Sequence, residues 1–423
     1  MAPLYPDTAV PEVALFAYPW DIKRAGAVPF ATEARKLGAN RAYVATRYHT
    51  AEVIMPRRNT AVVFNADENG YHLPLARSAF SGMGAQAPVD QDGQGGQLFG
   101  DLARAAERVG VGLSAWIVAL HASRLARAHP ESALENCFGD RSAHFLCPAD
   151  PATATYLTEL VAATMATGMF SGVMLEGVSY GLLGHGHPHE LHGVRMDPVC
   201  RYLASLCFCR SCLAEGRRRG IDGAQLRAWV TAELSRTWNG PLGPARMDDE
   251  GAELASLLVT QPGLAAWTRM RCEIVTGLVE TLSAIGRDLG VRVDLSAAIW
   301  ARPAYFNWME GVDLAASGPL VDHVVLESYY PSAAEIAREL DHASFLLPPA
   351  KLGLAALLWH GYLTSYEDLA SKIDLALSCG ISKFSFYHWS SAPSTMLGWV
   401  PRISTHIQQE CARYTARGDD DAG

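Results

Sequence analysis

Eight runs of six to eight mostly apolar residues are spaced along the chain, at 13–18, 41–46, 111–118, 170–176, 291–296, 323–330, 352–358 and 383–389, with helical spacing in the stretches between them. Runs such as Val13-Ala14-Leu15-Phe16-Ala17 and Leu352-Gly353-Leu354-Ala355-Ala356-Leu357 have no polar face, so both sides of each strand must be covered, as in a parallel sheet with helices outside it. Strand and helix in alternation are βαβ units. Eight such units and no more predict the α/β class and a closed (β/α)8 TIM barrel. An open doubly wound sheet would need a glycine-rich phosphate loop after the first strand, where this chain has Tyr18-Pro19-Trp20-Asp21.

Three stretches exceed the minimal pattern. Ala61-Val62-Val63-Phe64 and Tyr71-His72-Leu73 flank Asp67-Glu68-Asn69-Gly70 as the arms of a hairpin would. The glycine- and glutamine-rich segment 82–96 reads as a mobile excursion over the barrel mouth. The longest excess follows strand four, where 178–270 is expected to form an inserted helical subdomain carrying a cysteine cluster. Helices are predicted to begin at Asp150-Pro151, with proline at the first helical position, and to occupy 270–289 and 403–414. Residues 1–423 then make one barrel domain, with 417–423 as a disordered tail.

Composition narrows the partners. A net charge of −9 excludes non-specific nucleic-acid binding, which needs a positive track, and Arg217-Arg218-Arg219, the one basic run, reads as a solvated helix end. No eighteen-residue apolar stretch suits a membrane, and Met1-Ala2-Pro3-Leu4-Tyr5-Pro6-Asp7 has neither a basic start nor an apolar signal core. A soluble cytoplasmic protein is expected, with a homo-oligomer left open. Nine cysteines, an odd number and several of them crowded, favour metal binding over disulfides in a reducing compartment.

The chemistry is expected at the strand ends, which converge on one mouth of a barrel. Leu175-Glu176-Gly177 ends strand four and Leu326-Glu327-Ser328 ends strand six. Glycosidic cleavage needs such a pair, one carboxyl protonated for the leaving group and one ionised as nucleophile or base. Aromatic residues crowd the same exits: Tyr18 and Trp20, Trp116, Tyr180, Trp300, Tyr329 and Tyr330, Trp359, and Tyr387 with Trp389. Flat rings with polar tips make walls for sugars. Asp21, Arg47, His49, His121, His360 and His388 stand nearby to meet hydroxyls. His185, in His185-Gly186-His187-Pro188-His189-Glu190, is taken as a substrate contact, metal binding being the alternative for that loop. Cys207, Cys209 and Cys212 offer three thiols in one short segment, and Cys147 is the choice for a fourth, with Cys200 and Cys137 as alternatives. Together they predict a closed structural zinc site. No organic cofactor is expected. A metal-dependent hydrolase of the amidohydrolase kind would need His-x-His at the end of strand one, where Tyr18-Pro19-Trp20 stands.

Cys147 before strand four, a glutamate ending that strand and Cys-x-Cys-x-x-Cys after it resemble the zinc-containing β-galactosidases of glycoside hydrolase family forty-two. Phe386-Tyr387-His388-Trp389 followed by Ala392-Pro393 is similar to their last strand. Phe138-Gly139-Asp140, Cys147-Pro148 and Cys207-Phe208-Cys209 also resemble phrases of the family-ten-like glycosyl hydrolases. The resemblance, which runs from strand three onward, implies a glycoside hydrolase acting on a carbohydrate or glycoconjugate, with Glu176 as general acid/base. That clan's nucleophile ends strand seven, where this chain has Leu358-Trp359-His360. A pair on strands four and six is similar instead to the α-galactosidase clan, in which the strand-four residue is the nucleophile. The alternative expectation is a barrel that binds carbohydrate without cleaving it.

Overall fold

The computed structural model describes residues 10–58, 60, 62–66, 72–86, 95–183, 194, 196–240, 250–297 and 303–420. Eight parallel strands, Glu12–Ala17, Arg41–Arg47, Gly112–Val118, Gly172–Glu176, Arg292–Ser296, His323–Glu327, Leu352–Leu357 and Lys383–Tyr387, close into one barrel in chain order. They are the eight runs expected: the first is shifted by one residue, the second is longer by one, and the other six are trimmed by one to three residues. The strand count therefore stands, and the seventh strand ends at Leu357 without a carboxylate.

The continuous apolar runs follow from burial on both faces. Along the first strand Val13, Leu15 and Ala17 pack outward under the helices, while Ala14 and Phe16 point into the barrel. The same alternation places Tyr43 and Ala45, Trp116 and Val118, Met174, Val325 and Ala355 in the interior. Phe16 anchors this inner layer, with its ring 4.9 Å from Tyr43 and 5.1 Å from Trp116.

The amino-terminal end of the barrel is polar and closed. Glu12, Arg41, Arg292, His323 and Lys383 each open a strand. Arg292 donates to Glu12 and to Asp294 Oδ1 at 2.7 Å, Arg41 donates to Glu12 at 2.9 Å, and Tyr43 donates to Asp294 Oδ2 at 3.1 Å. Burial alone would raise the Asp294 carboxyl. The hydrogen bond with His323, 2.9 Å away, and the charge of Arg292 outweigh it and hold the group below the usual carboxylate range.

The helix Pro151–Ala166 begins as expected, with the Asp150 carboxylate accepting from the Thr153 N–H at 3.3 Å. Between strands four and five the described residues form helices Pro198–Ala204, Arg210–Arg218, Gly223–Asn239, Glu250–Thr260 and Pro262–Leu289, the last ended by Gly290 at φ 65°. The terminal helix, Val400–Asp420, extends into the expected tail. Among the described residues no helix is long and apolar enough to cross a membrane.

One loop expectation is corrected. The hairpin after strand two pairs Ala51–Ile54 with Val63–Ala66, not 61–64 with 71–73; Ala61 and 67–71 lie outside the described residues. Its inner face decides the register, because Val53 and Phe64 pack on the barrel's aromatic residues, with the Phe64 ring 5.3 Å from that of Trp20. His72 instead returns to strand two, its N–H donating to the Thr46 carbonyl at 2.8 Å. In the glycine-rich stretch, Gly82–Gln86 is a short 3-10 turn on the outer layer, and 87–94 lie outside the described residues. Ser81 N–H donates to Glu159 of the outer helix at 2.9 Å, and Phe80 and Met83 join the outer core.

Candidate active site

Glu176 and Glu327 are the last residues of the fourth and sixth strands, two positions beyond the inward-facing Met174 and Val325. Strand alternation therefore turns both carboxylates inward at the same end of the barrel. The Trp116 indole N–H donates to Glu176 Oε2 at 2.6 Å, and the Ser296 hydroxyl, from the intervening fifth strand, donates to Glu327 Oε1 at 2.6 Å. Glu327 is buried and Glu176 half-buried.

Beside Trp116, three tyrosines share their hydroxyls. Tyr18 lies 2.6 Å from Tyr387 and 3.1 Å from Tyr48, and Tyr48 lies 3.3 Å from Tyr387. Burial, augmented by the negative charge of Glu176, pushes the Tyr18 phenol up to about 12, and burial likewise raises Tyr48 and Tyr387. All three are therefore neutral donor–acceptors at ordinary pH. The His388 ring stacks on Tyr18 at 3.8 Å, and burial, with the charge of Arg57, holds it well below the usual imidazole value. Its Nδ1 accepts from the Ser390 N–H at 3.1 Å, so the neutral ring carries its proton on Nε2.

These tyrosines floor a cavity of about 500 Å³ whose sides are the hairpin residues Val53, Ile54 and Pro56 and, opposite, Trp359, His360 and Pro393. Neither glutamate is among its lining residues. Tyr18 and Tyr387 stand between: the Tyr18 ring is 5.8 Å from Trp116, the partner of Glu176, and the Tyr387 ring is 5.8 Å from Tyr329, two residues beyond Glu327.

The other expected contacts divide. Trp359 and His360 line the cavity, and Trp20 stacks behind Tyr18 at 4.5 Å. Several are engaged elsewhere. Arg47 is 1% exposed and donates to the backbone carbonyls of Val118 and His121. His121, also buried, stacks between His49 and Phe145 at 4.1 and 4.8 Å. Asp21 pairs with Arg58, Trp389 packs on Phe30 under Arg57, and His388 is 0% exposed. Tyr180 lies against the cysteine cluster. His185 and Trp300 lie outside the described residues.

That cluster is the four cysteines named from sequence. The sulfurs of Cys147, Cys207, Cys209 and Cys212 are buried and all lie within 4.8 Å of one another. Cys147 Sγ is 3.5 Å from Cys212, 3.8 Å from Cys207 and 3.5 Å from Cys209. A tetrahedron of sulfurs about 2.3 Å from a central zinc has edges of roughly 3.8 Å, so the donor set fits a closed tetrathiolate site. Backbone N–H groups of Glu135 and Cys212 point at the sulfurs of Cys207 and Cys209, 3.4 and 3.5 Å away, as donors to thiolates would. Tyr180 brings its hydroxyl to 3.7 Å from Cys212 Sγ, and the Arg271 guanidinium stacks on the Tyr180 ring at 4.4 Å. Arg271 is 0% exposed, and its guanidinium also lies beside the Tyr202 hydroxyl.

Against known proteins, no family model and no curated sequence matches the chain. Solved structures do. The chain is similar to β-galactosidase from the psychrophilic Marinomonas ef1 (11% identity, TM-score 0.57, covering 97% of this chain and 61% of that one). It is also similar to a GH42 β-galactosidase from G. stearothermophilus (12%, 0.56, 96% and 57%) and to the catalytic domain of β-amylase from Paenibacillus polymyxa (11%, 0.54, 96% and 99%). The shared feature is the fold. The chain spans about three-fifths of the length of the two β-galactosidases.

Tyr48 and Ser296 were not foreseen, nor was the hairpin side of the cavity. Tyr48 sits between two residues that were named, Arg47 and His49, and a register shift explains why. Ala45 pairs with Trp116, but Arg47 pairs with Ile117, so one extra residue intrudes at Thr46. The inward position moves from Arg47 to Tyr48, and Arg47 turns to backbone carbonyls instead. No strict alternation in the sequence marks that bulge. Ser296 carried a readable signal, as the terminal residue of the strand between the two glutamate strands.

Proposed function

We propose that this chain is a glycoside hydrolase in which Glu176 and Glu327 are the carboxylate pair and zinc is a structural staple at the four cysteines. The observation that carries the reading is that the two glutamates end strands four and six on the inward face at one end of the barrel, each with a donor at 2.6 Å. The resemblance to β-galactosidases and the barrel shared with glycosidases support it. The hydroxyl-bearing tyrosines supply uncharged contacts for a sugar, and the neighbouring aromatic walls exclude water from it. The two carboxylates divide the labour of acid and nucleophile or base. Zinc, when bound by Cys147, Cys207, Cys209 and Cys212, ties the segment before the outer helix to the insertion after strand four and takes no part in bond cleavage.

One observation favours a second reading: the cavity's lining does not include either glutamate. A barrel that binds carbohydrate without cleaving it would have this character. Turnover on a panel of aryl glycosides, with Glu176→Gln and Glu327→Gln beside the parent, separates the two. The hydrolase reading expects each variant to lose at least about 100-fold in kcat while sugar binding persists. No turnover in the parent leaves the binding reading, and unchanged turnover in both variants removes the two glutamates from the chemistry.

A further inference from the structure

We infer that the cavity takes a glycoside whose aglycone is apolar, an alkyl or aryl group held at the lip while a neutral sugar sits on the tyrosine floor. This rests on the carbohydrate reading above and names the class of substrate for that site.

The floor and the lip differ in chemistry. At the floor are three phenol hydroxyls, mutually within 3.3 Å and all neutral, with Ser391 beside them. Groups that both donate and accept suit sugar hydroxyls. Among the described lining residues there is no lysine or arginine to hold a phosphate or uronate, and Glu52 would repel one. The sugar is therefore not an anion.

At the lip apolar side chains predominate. Val53, Ile54 and Pro56 of the hairpin segment line the cavity together with Trp359 and Pro393. Ile54 is 63% exposed and Trp359 37% exposed. The Trp359 N–H is tied to Ser391 Oγ at 3.0 Å, which leaves the indole face for contact. Apolar side chains left in water around one opening mark a binding surface. A continuing sugar chain would need donors and acceptors along this lip, where Glu52 and His360 are the polar side chains. The cavity's 500 Å³ lies within the roughly 300–1,000 Å³ that encloses a whole small molecule.

The test uses uncleavable probes, so it does not depend on turnover. Methyl and hexyl 1-thioglycosides of glucose, galactose, fucose and xylose, in both anomers, are titrated calorimetrically into the full chain. Five added methylenes, each worth about twofold when half-buried, predict hexyl binding about 30-fold tighter than methyl for the preferred sugar. In Ile54→Ser and Trp359→Ala that ratio should fall below about tenfold, and circular dichroism checks that both variants fold. Equal binding of the two probes overturns the inference. So does hexanol binding as tightly as the hexyl glycoside, a ratio untouched in both variants, or no binding by any probe. If the hexyl ratio holds and no glycoside is turned over, the hydrolase reading fails and this inference stands.

Discussion

Replacing Arg271 by methionine tests whether the cysteine cluster carries charge. Zinc bound by four thiolates has a net charge of −2, and a fully buried guanidinium is costly unless an anion lies close. Each would account for the other. The path runs 4.4 Å from the guanidinium carbon to the Tyr180 ring and 3.7 Å from its hydroxyl to Cys212 Sγ. The cation is thus within about 11 Å of the sulfur, and at an effective dielectric constant near 20 a unit charge and a dianion attract by about 3 kcal/mol. Zinc affinity, measured by competition with a graded series of chelators, should fall about 100-fold in Arg271→Met and recover largely in Arg271→Lys. In a background with all four cysteines replaced by serine, Arg271→Met should raise the thermal midpoint, since the lone charge is then only a burden. Purified protein without zinc, unchanged zinc affinity in Arg271→Met, or an equal destabilisation in both backgrounds would refute the reasoning.

Stability should decline with acid. Glu12 and Asp294 are held low against burial by Arg292, with His323 also lowering Asp294, so their stabilisation is complete above the unfolded values near 4 and is lost as pH falls through the folded ones. Burial lowers His323, so below about pH 6.5 the unfolded imidazole takes a proton first and stability begins to fall there. Thermal midpoints should drop between pH 7 and 5 and more steeply below 4; Asp294→Asn should lower the midpoint at pH 7 and flatten the steep part. A midpoint level from pH 7 to pH 4 contradicts the assignment. Trp116→Phe removes the indole donor that favours ionised Glu176; the limb of the pH–rate profile belonging to Glu176 should move upward and kcat/KM fall about tenfold, with about 1–2 kcal/mol lost from the core. A fall in rate with no movement of that limb would assign Trp116 to packing alone.

The barrel was legible because burial on both faces makes each strand a continuous apolar run, and eight such runs leave few alternatives. Glu176 and Glu327 could be located because a carboxylate cannot remain in that run, so it marks where the strand meets the mouth. The cysteines were legible from spacing: Cys207, Cys209 and Cys212 are close in sequence and therefore close in space, and Cys147, chosen over Cys200 and Cys137, completes the set.

Direction was what local sequence did not encode. Arg47, His121, Tyr180 and His388 follow strands as expected, yet each turns toward backbone, aromatic ring or thiol rather than the cavity. The bulge at Thr46 rotates Tyr48 inward in place of Arg47. The hairpin chose its register by burying Val53 and Phe64 against Trp20 and Tyr18, a partnership between segments that no local turn signal announces. Hydrophobic period and residue spacing determine which segments become strands and which thiols are neighbours. Closing the barrel decides which way each side chain at the mouth points, because that choice depends on partners distant along the chain.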